Sequence, residues 1–193
     1  MEKETKLIYG VGYLGVGEYK TMVKTVRTKD YLVWRTMIMR CYDERYHKTQ
    51  PTYGECSVVE EWHNFQNFGS WCEHNYIDGF VLDKDILVKG NKIYSPETCC
   101  FVPQEINNLF TNRKNKRGKY PIGVNTKGDK FRATMTLNKK QLYIGTFTTI
   151  QEAFEAYKLV KEQHIKEVAD KWRGKITEEV YKAMYNYKVE ITD

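Results

Sequence analysis

The run KFRATMTL, residues 130–137, alternates strictly: Phe131, Ala133, Met135 and Leu137 fall on one side of an extended chain, and Arg132, Thr134 and Thr136 on the other. A strand of this kind buries one face and leaves the other open. Runs of similar length, YPIGVNT before it and KQLYIGTF after it, are joined to it by KGD and NK, both hairpin signals. The next segment, TIQEAFEAYKLVKEQHIKEVADKW, opens with a capping box from Thr149 to Glu152. It carries an apolar stripe at Ile150, Ala153, Phe154, Tyr157, Val160, His164 and Val168. The expected unit is a three-stranded antiparallel sheet with one helix covering its apolar face. A polar, partly basic face is left over, which is unusual for so small a sheet unless it binds something.

Upstream of this unit, NRKNKRGK gathers Arg113, Lys114, Lys116, Arg117 and Lys119 without an apolar residue, and reads as a boundary. Two readings stay open for it: a solvated linker, or an arm that tracks phosphates and gains by counterion release. The whole chain has 193 residues with 31 Lys+Arg against 25 Asp+Glu, a formal charge of +6, which permits an anionic partner without demanding one. No stretch of about 20 apolar residues is present to span a bilayer, and MEKETKLIYG lacks the basic start and apolar core of a secretory signal, so a soluble intracellular protein with no membrane partner is expected.

In the N-terminal part, apolar residues at Tyr31, Trp34, Met37, Ile38, Cys41 and Tyr42 have helical spacing. SVVEEWHNFQNFGSWCEHN repeats the pattern with Val58, Trp62, Phe65 and Phe68, predicting a second helix after the loop HKTQPTYGEC. DGFVLDKDIL then reads as a strand running to a tight turn at KGNK, predicting a short hairpin. In YSPETCCFVP, Ser95 suits an N-cap, Pro96 the first helical position and Glu97 the positive end of the dipole, predicting a short helix. Pro103 interrupts it, and QEINNLF continues as a further turn or two. Hairpin plus helix is the ββα-metal arrangement, in which side chains from the first strand's end and from the helix surround one divalent ion. Five cysteines, Cys41, Cys56, Cys72, Cys99 and Cys100, show no CxxC spacing and read as reduced core residues. The alternative is a zinc site joining Cys41, Cys56 and Cys72 to His47, His63 or His74.

Residues 118–168 resemble the plant ethylene-response-factor (apetala-type) DNA-binding domain, in the Gly-Val of strand one, the Lys-aromatic-x-Ala of strand two, the GTF of strand three and the Glu-Ala-x-x-Ala-Tyr helix. That resemblance implies a sheet entering the major groove of double-stranded DNA. By position the contacts would be Asn125, Lys127, Arg132, Thr134, Thr136, Gln141 and Tyr143, with Arg113, Lys114, Lys116, Arg117 and Lys119 as backbone contacts from the linker.

WRTMIMRCYDERY, YGECSVVEEWHNFQNFGSW and LDKDILVKGNKIYSPETCCFVPQEINNL resemble phage and prophage HNH-type homing endonucleases, in a branch whose core reads Leu-Asp-Arg-Ile-Asp followed by Gly-Asn-Tyr-Ser-Pro-Glu-Asn-Cys-Arg-Trp. The resemblance implies a catalytic group of Asp83, Lys84, Asp85 and Asn91 and a Mg²⁺ or Mn²⁺ site at Asp83, Asp85 and Thr98. Lys84 stands at the usual position of the histidine base, and Thr98 at that of the helix Asn or His. His74, upstream, is the remaining candidate for a base. The competing reading makes Asp83 and Lys84 an ordinary strand-end ion pair.

Taken together, an α+β protein is expected: an HNH-like nuclease domain with N-terminal helices and a ββα-metal unit over 1–112, a basic linker over 113–119, and a sheet-plus-helix DNA-binding domain over 120–193. The expected function is a phage-type, divalent-metal-dependent endonuclease hydrolysing phosphodiesters of duplex DNA in the cytoplasm of an infected bacterial host. The alternative is a catalytically degenerate, sequence-preferring DNA-binding protein acting as scaffold or regulator.

Overall fold

The computed structural model describes residues 7–111, 118–137 and 140–193, and the chain divides into two compact units, Met1–Gln104 and Glu105–Asp193. The fold is mixed α+β, with helices towards the N-terminus and a small antiparallel sheet packed on a helix towards the C-terminus.

The first unit begins with a short antiparallel hairpin, β1 (Met22–Val23) and β2 (Val26–Arg27), followed by α1 (Lys29–Tyr42) and α2 (Glu44–Thr49). Then come β3 (Ser57–Val58), a 3₁₀ turn at Glu60–His63, α3 (Phe65–Asn75), β4 (Phe80–Asp83), β5 (Ile93–Tyr94) and β6 (Cys100–Pro103). Trp34, Met37, Ile38 and Cys41 from α1 meet Phe65, Phe68 and Cys72 from α3 around the fully buried Trp62, the stripe that the helical spacing predicts. The Trp34 indole N–H donates to Trp62 O at 2.7 Å, so this large ring is buried without an orphaned donor. Rings continue the core outward, with Trp62 and Trp71 centroids 4.7 Å apart and Trp71 stacked on Phe101 at 5.6 Å.

Three local expectations are overturned in this unit. Residues 57–75 are not one helix: Ser57 N donates to Lys92 O and Val59 N to Tyr94 O, which ties β3 to β5 in parallel, and helix begins only after Asn64 caps Gln66 N. The tight turn at KGNK forms, with Gly90 at φ 78°, but it does not return the chain along β4. The antiparallel partner of β4 is β6, with Asp83 opposite Cys100 and Phe80 opposite Pro103. Finally, Ser95 starts a single turn, closed by Cys99 N to Ser95 O at 3.0 Å, rather than a helix. Cys100–Pro103 is buried throughout and gains more from pairing with β4 than a helix begun at Pro96 could offer. Pro103 ends that strand.

The second unit holds α4 (Gln104–Phe110, all but its first residue), β7 (Val124–Lys127), β8 (Lys130–Leu137), β9 (Lys140–Phe147), α5 (Ile150–Trp172) and α6 (Glu178–Tyr185). The sheet order is β7-β8-β9, antiparallel throughout. The capping box forms with both of its bonds, and Ala153, Phe154 and Tyr157 bury against Val124, Ala133 and Met135. Gly123, at φ 78°, lets the chain pass the Tyr157 ring where a Cβ would lie 2.0 Å from it, which explains the Gly before Val124. Nothing in the sequence reading anticipated α6, which folds back on α5 and buries Val180 and Met184. At the C-terminal end of α5, Glu105 of α4 accepts from Lys171 and from the Trp172 indole, at 2.6 and 2.8 Å.

Candidate nucleic-acid interface and acidic loop

Side chains directly opposite one another in an antiparallel pair share a face. The register sets Asn125 against Arg132, Lys127 against Lys130, Thr134 against Tyr143 and Thr136 against Gln141. All seven positions implied for base and groove contact, Asn125, Lys127, Arg132, Thr134, Thr136, Gln141 and Tyr143, therefore lie on the face away from α5. Lys130 and Thr146 join them.

Thr146 escaped the sequence reading for a definite reason. Tyr143 and Thr146 are three residues apart and should point to opposite sides of a regular strand. A bulge intervenes: Ala133 pairs with Gly145 but Thr134 with Tyr143, so Ile144 is an extra residue in β9 and both side chains come to one face. Tyr143 Oη and Thr146 Oγ1 are 2.9 Å apart as a result.

The face has a built centre. Thr134 is only 7 % exposed, because Asn125 Nδ2 at 3.2 Å and Gln141 Nε2 at 3.5 Å both reach its hydroxyl from the flanking strands. Arg132, beside them, has a buried Nε without a hydrogen-bond partner among the described residues. Lys127 and Lys130 project at the turn of the β7–β8 hairpin, where Gly128 has φ 60°. Lys119 is exposed near the Tyr120 ring, and Arg113, Lys114, Lys116 and Arg117 lie outside the described residues.

The acidic loop is arranged quite differently. Asp83 ends β4 at 8 % exposure, and its Oδ1 accepts from the backbone N–H of Asp85 at 2.9 Å and of Ile86 at 2.8 Å. Burial, and then the Asp85 charge, push the Asp83 carboxyl up to about 6, against the pull of those two N–H groups and of Lys84. Lys84, also 8 % exposed, donates from Nζ to Asp85 Oδ2 at 3.0 Å and to Asn91 O at 2.9 Å. Burial works against its charge, but the Asp85 carboxylate overrides this and raises the amine above its ordinary value, so Lys84 is a cation and not a base at neutral pH. Asn91 closes the loop, its Nδ2 donating to Lys84 O at 2.7 Å and Ile93 O at 2.6 Å while its Oδ1 accepts from Ile93 N.

Asp83, Lys84, Asp85 and Asn91 are thus brought together, but Thr98 is not on a helix: its hydroxyl donates to Ile93 O at 2.9 Å and lies 3.1 Å from Ser95 Oγ. As arranged, these residues do not fit a divalent ion. The Lys84 ammonium already sits on Asp85, Asp83 Oδ1 is engaged by backbone, and no group of three or more His, Cys, Asp or Glu suited to a metal occurs among the described residues. The zinc alternative finds no support either. All five cysteines are buried thiols, with burial pushing Cys41 and Cys72 up to about 12. His47 and His74 bond to Arg40 O and Ser70 O, and His63 to the Tyr42 hydroxyl.

No helix among the described residues is long and apolar enough to cross a membrane. Comparison with protein-family models, curated proteins and solved structures gave no match for this chain.

Proposed function

We propose that this protein binds duplex DNA through the polar face of β7–β9, and that its first unit serves as a scaffold or regulator rather than as the site of chemistry. The observation that carries the reading is the convergence of Asn125, Lys127, Arg132, Thr134, Thr136, Gln141 and Tyr143 on the one sheet face that α5 leaves uncovered. Three strands at about 4.8 Å spacing span about 10 Å, against a major groove about 12 Å wide. Arg132 lies on the middle strand with an unsatisfied Nε, in the position from which a guanidinium reaches a base edge or a phosphate. Lys127 and Lys130, at the hairpin tip, are placed to touch backbone.

A second reading, a phage-type endonuclease dependent on Mg²⁺ or Mn²⁺, is favoured by one observation. Although β5 intervenes, the antiparallel pair β4–β6 is followed along the chain by α4, with an acid, Asp83, closing β4, as strand, strand and helix follow one another in an HNH-like ββα unit. One experiment separates the readings. A duplex selected from random sequence is titrated with wild type and Arg132→Ala, and then incubated with wild type and Asp83→Asn in Mg²⁺ or Mn²⁺. Selective binding lost in Arg132→Ala without strand cleavage is the expected result. Metal-dependent cleavage that disappears in Asp83→Asn would establish the endonuclease, and wild type that selects no duplex would end both readings.

A further inference from the structure

The hairpin β1–β2 stands out in the first unit because it is held firmly at its base and exposed over the rest of its length. Its root is fixed by Thr28, whose hydroxyl donates to Lys20 O at 2.7 Å and whose N–H donates to Thr21 O, and by Gln66 Nε2 donating to Tyr19 O at 3.0 Å. Beyond the root, Met22 pairs with Arg27 and Val23 with Val26, and every residue from Met22 to Arg27 is exposed. Val23 and Val26 form an adjacent pair 58 % and 71 % exposed. A two-stranded ribbon is marginally stable alone, so one with an open apolar pair gains from a partner.

Charge identifies the kind of partner. No acidic residue lies between Tyr19 and Lys29. Lys29 is held by Asp78, but Lys20, Lys24 and Arg27 have no ion-pair partner among the described residues. Arg27 lies opposite Met22 on one face of the ribbon, Val23 and Val26 share the other, Lys24 sits at the tip, and Lys20 is exposed beside the root. Lys24 also has φ 55°, a left-handed conformation in which glycine or asparagine is the usual residue, so the turn holds a cation where another residue would suit the backbone better.

We propose that this hairpin is a second DNA-contacting element, with Lys20, Lys24 and Arg27 on phosphates and the Val23–Val26 pair against the sugar edges of the groove wall. The inference rests on the reading of this chain as a duplex-DNA-binding protein. A ribbon with an apolar pair on one face and cations at its tip and on its other face suits the edge of a groove, where deoxyribose is apolar and the flanking phosphates are anionic.

The test is the salt dependence of duplex binding by the full chain. The triple variant Lys20→Gln/Lys24→Gln/Arg27→Gln should reduce the slope of log K against log salt by about 2 to 3. The charge-matched control Lys166→Gln/Lys175→Gln/Lys182→Gln should leave the slope at the wild-type value. Lys24→Gly relaxes the left-handed backbone and removes one cation, so it should lower the slope by about 1 while its thermal midpoint holds or rises. A wild-type slope in the triple variant, or an equal loss in the control, overturns the proposal. So does loss of binding to anionic vesicles in the triple variant with DNA affinity intact, which would reassign the hairpin to a membrane surface. If Arg132→Ala weakens binding and the hairpin variants do not, this inference alone fails. If wild type binds no duplex, the reading on which it rests fails with it.

Discussion

Asp83 in the first unit and Thr134 in the second are polar residues of nearly equal burial, 8 % and 7 % exposed, yet they are covered by different material. Asp83 is wrapped by the backbone of its own loop, through the N–H groups of Asp85 and Ile86. Thr134 is screened by two side-chain amides, Asn125 and Gln141, lying on an outer sheet face. Backbone groups cannot leave without unfolding the loop, whereas amide side chains can rotate away and offer their donors and acceptors to an incoming polar group. Polar burial is therefore structural in the acidic loop and displaceable in the sheet.

The strongest way to break this contrast is Asp83→Ala. Orphaning two buried N–H groups should destabilise the first unit by roughly 2 to 4 kcal/mol, read from urea or thermal unfolding, whereas Asp83→Asn retains an oxygen acceptor and should cost less than about 1 kcal/mol. An Asp83→Ala protein as stable as wild type would show that the carboxylate is held for chemistry rather than for the loop.

Next in size is Lys84→Ala, which leaves Asp83 and Asp85 without their internal cation and should cost about 1 to 3 kcal/mol. Because Lys84 supplies the charge that a divalent ion would bring, millimolar Mg²⁺ or Ca²⁺ should raise the melting temperature of this variant and not that of wild type. An equal metal effect on both proteins would mean that the ion binds elsewhere.

For the sheet the expectation is inverted. Arg132→Ala should change unfolding stability by less than about 0.5 kcal/mol and reduce discrimination between selected and random duplex by about 1 to 3 kcal/mol. Lys130→Ala, at the hairpin tip, should weaken both duplexes alike and lower the salt slope by about 1. Identical behaviour of the two variants would remove the sheet from the groove.

The smallest effect sharpens the comparison within the second unit. Lys161 is half-buried, donates to Leu109 O of α4 at 2.9 Å, and is pushed down by burial to about 8. Between about 8 and the ordinary lysine value of 10.5 the unfolded chain holds the extra proton, so stability should rise with pH across that window, the burial cost being fully present below it. Lys161→Met should accordingly stabilise the unit by about 1 to 2 kcal/mol at pH 7, after allowing for the lost hydrogen bond, and the difference should shrink above pH 10. A pH-independent difference would show that the amine is hydrated.

The second unit, α6 apart, was legible in the sequence because its signals are local. Alternation in residues 130–137, the hairpin turns, and the Thr149–Glu152 box with its apolar stripe all act within a few residues, and the structure follows them from β7 into α5, where the later part of the helix buries Ile165 and Ala169 instead of His164. The aromatic stripe of α1 was legible for the same reason. The acidic loop was not. Ser95, Pro96 and Glu97 carry a sound helix-start signal, and a 2-residue β5 carries almost none, yet strand pairing prevails. Whether Cys100–Pro103 becomes helix or strand depends on β4, some 20 residues earlier, and on a core that buries all four residues, which no local propensity of a few tenths of a kcal/mol per residue can override.

The same division governs the site residues. By itself the sequence determined which side chains could share a face, because period two is a property of an extended chain: Arg132, Thr134 and Thr136 had to lie together. Only the tertiary structure decided that Thr146 joins them beside Tyr143, since that required the extra residue at Ile144 in β9. Only the tertiary structure, likewise, decided what Asp83, Lys84 and Asp85 hold. Adjacent charges in a sequence specify no partner, and it was the folded loop that brought the Lys84 ammonium onto Asp85 Oδ2 and Asn91 O, where the Asp85 carboxylate keeps it charged against the cost of burial.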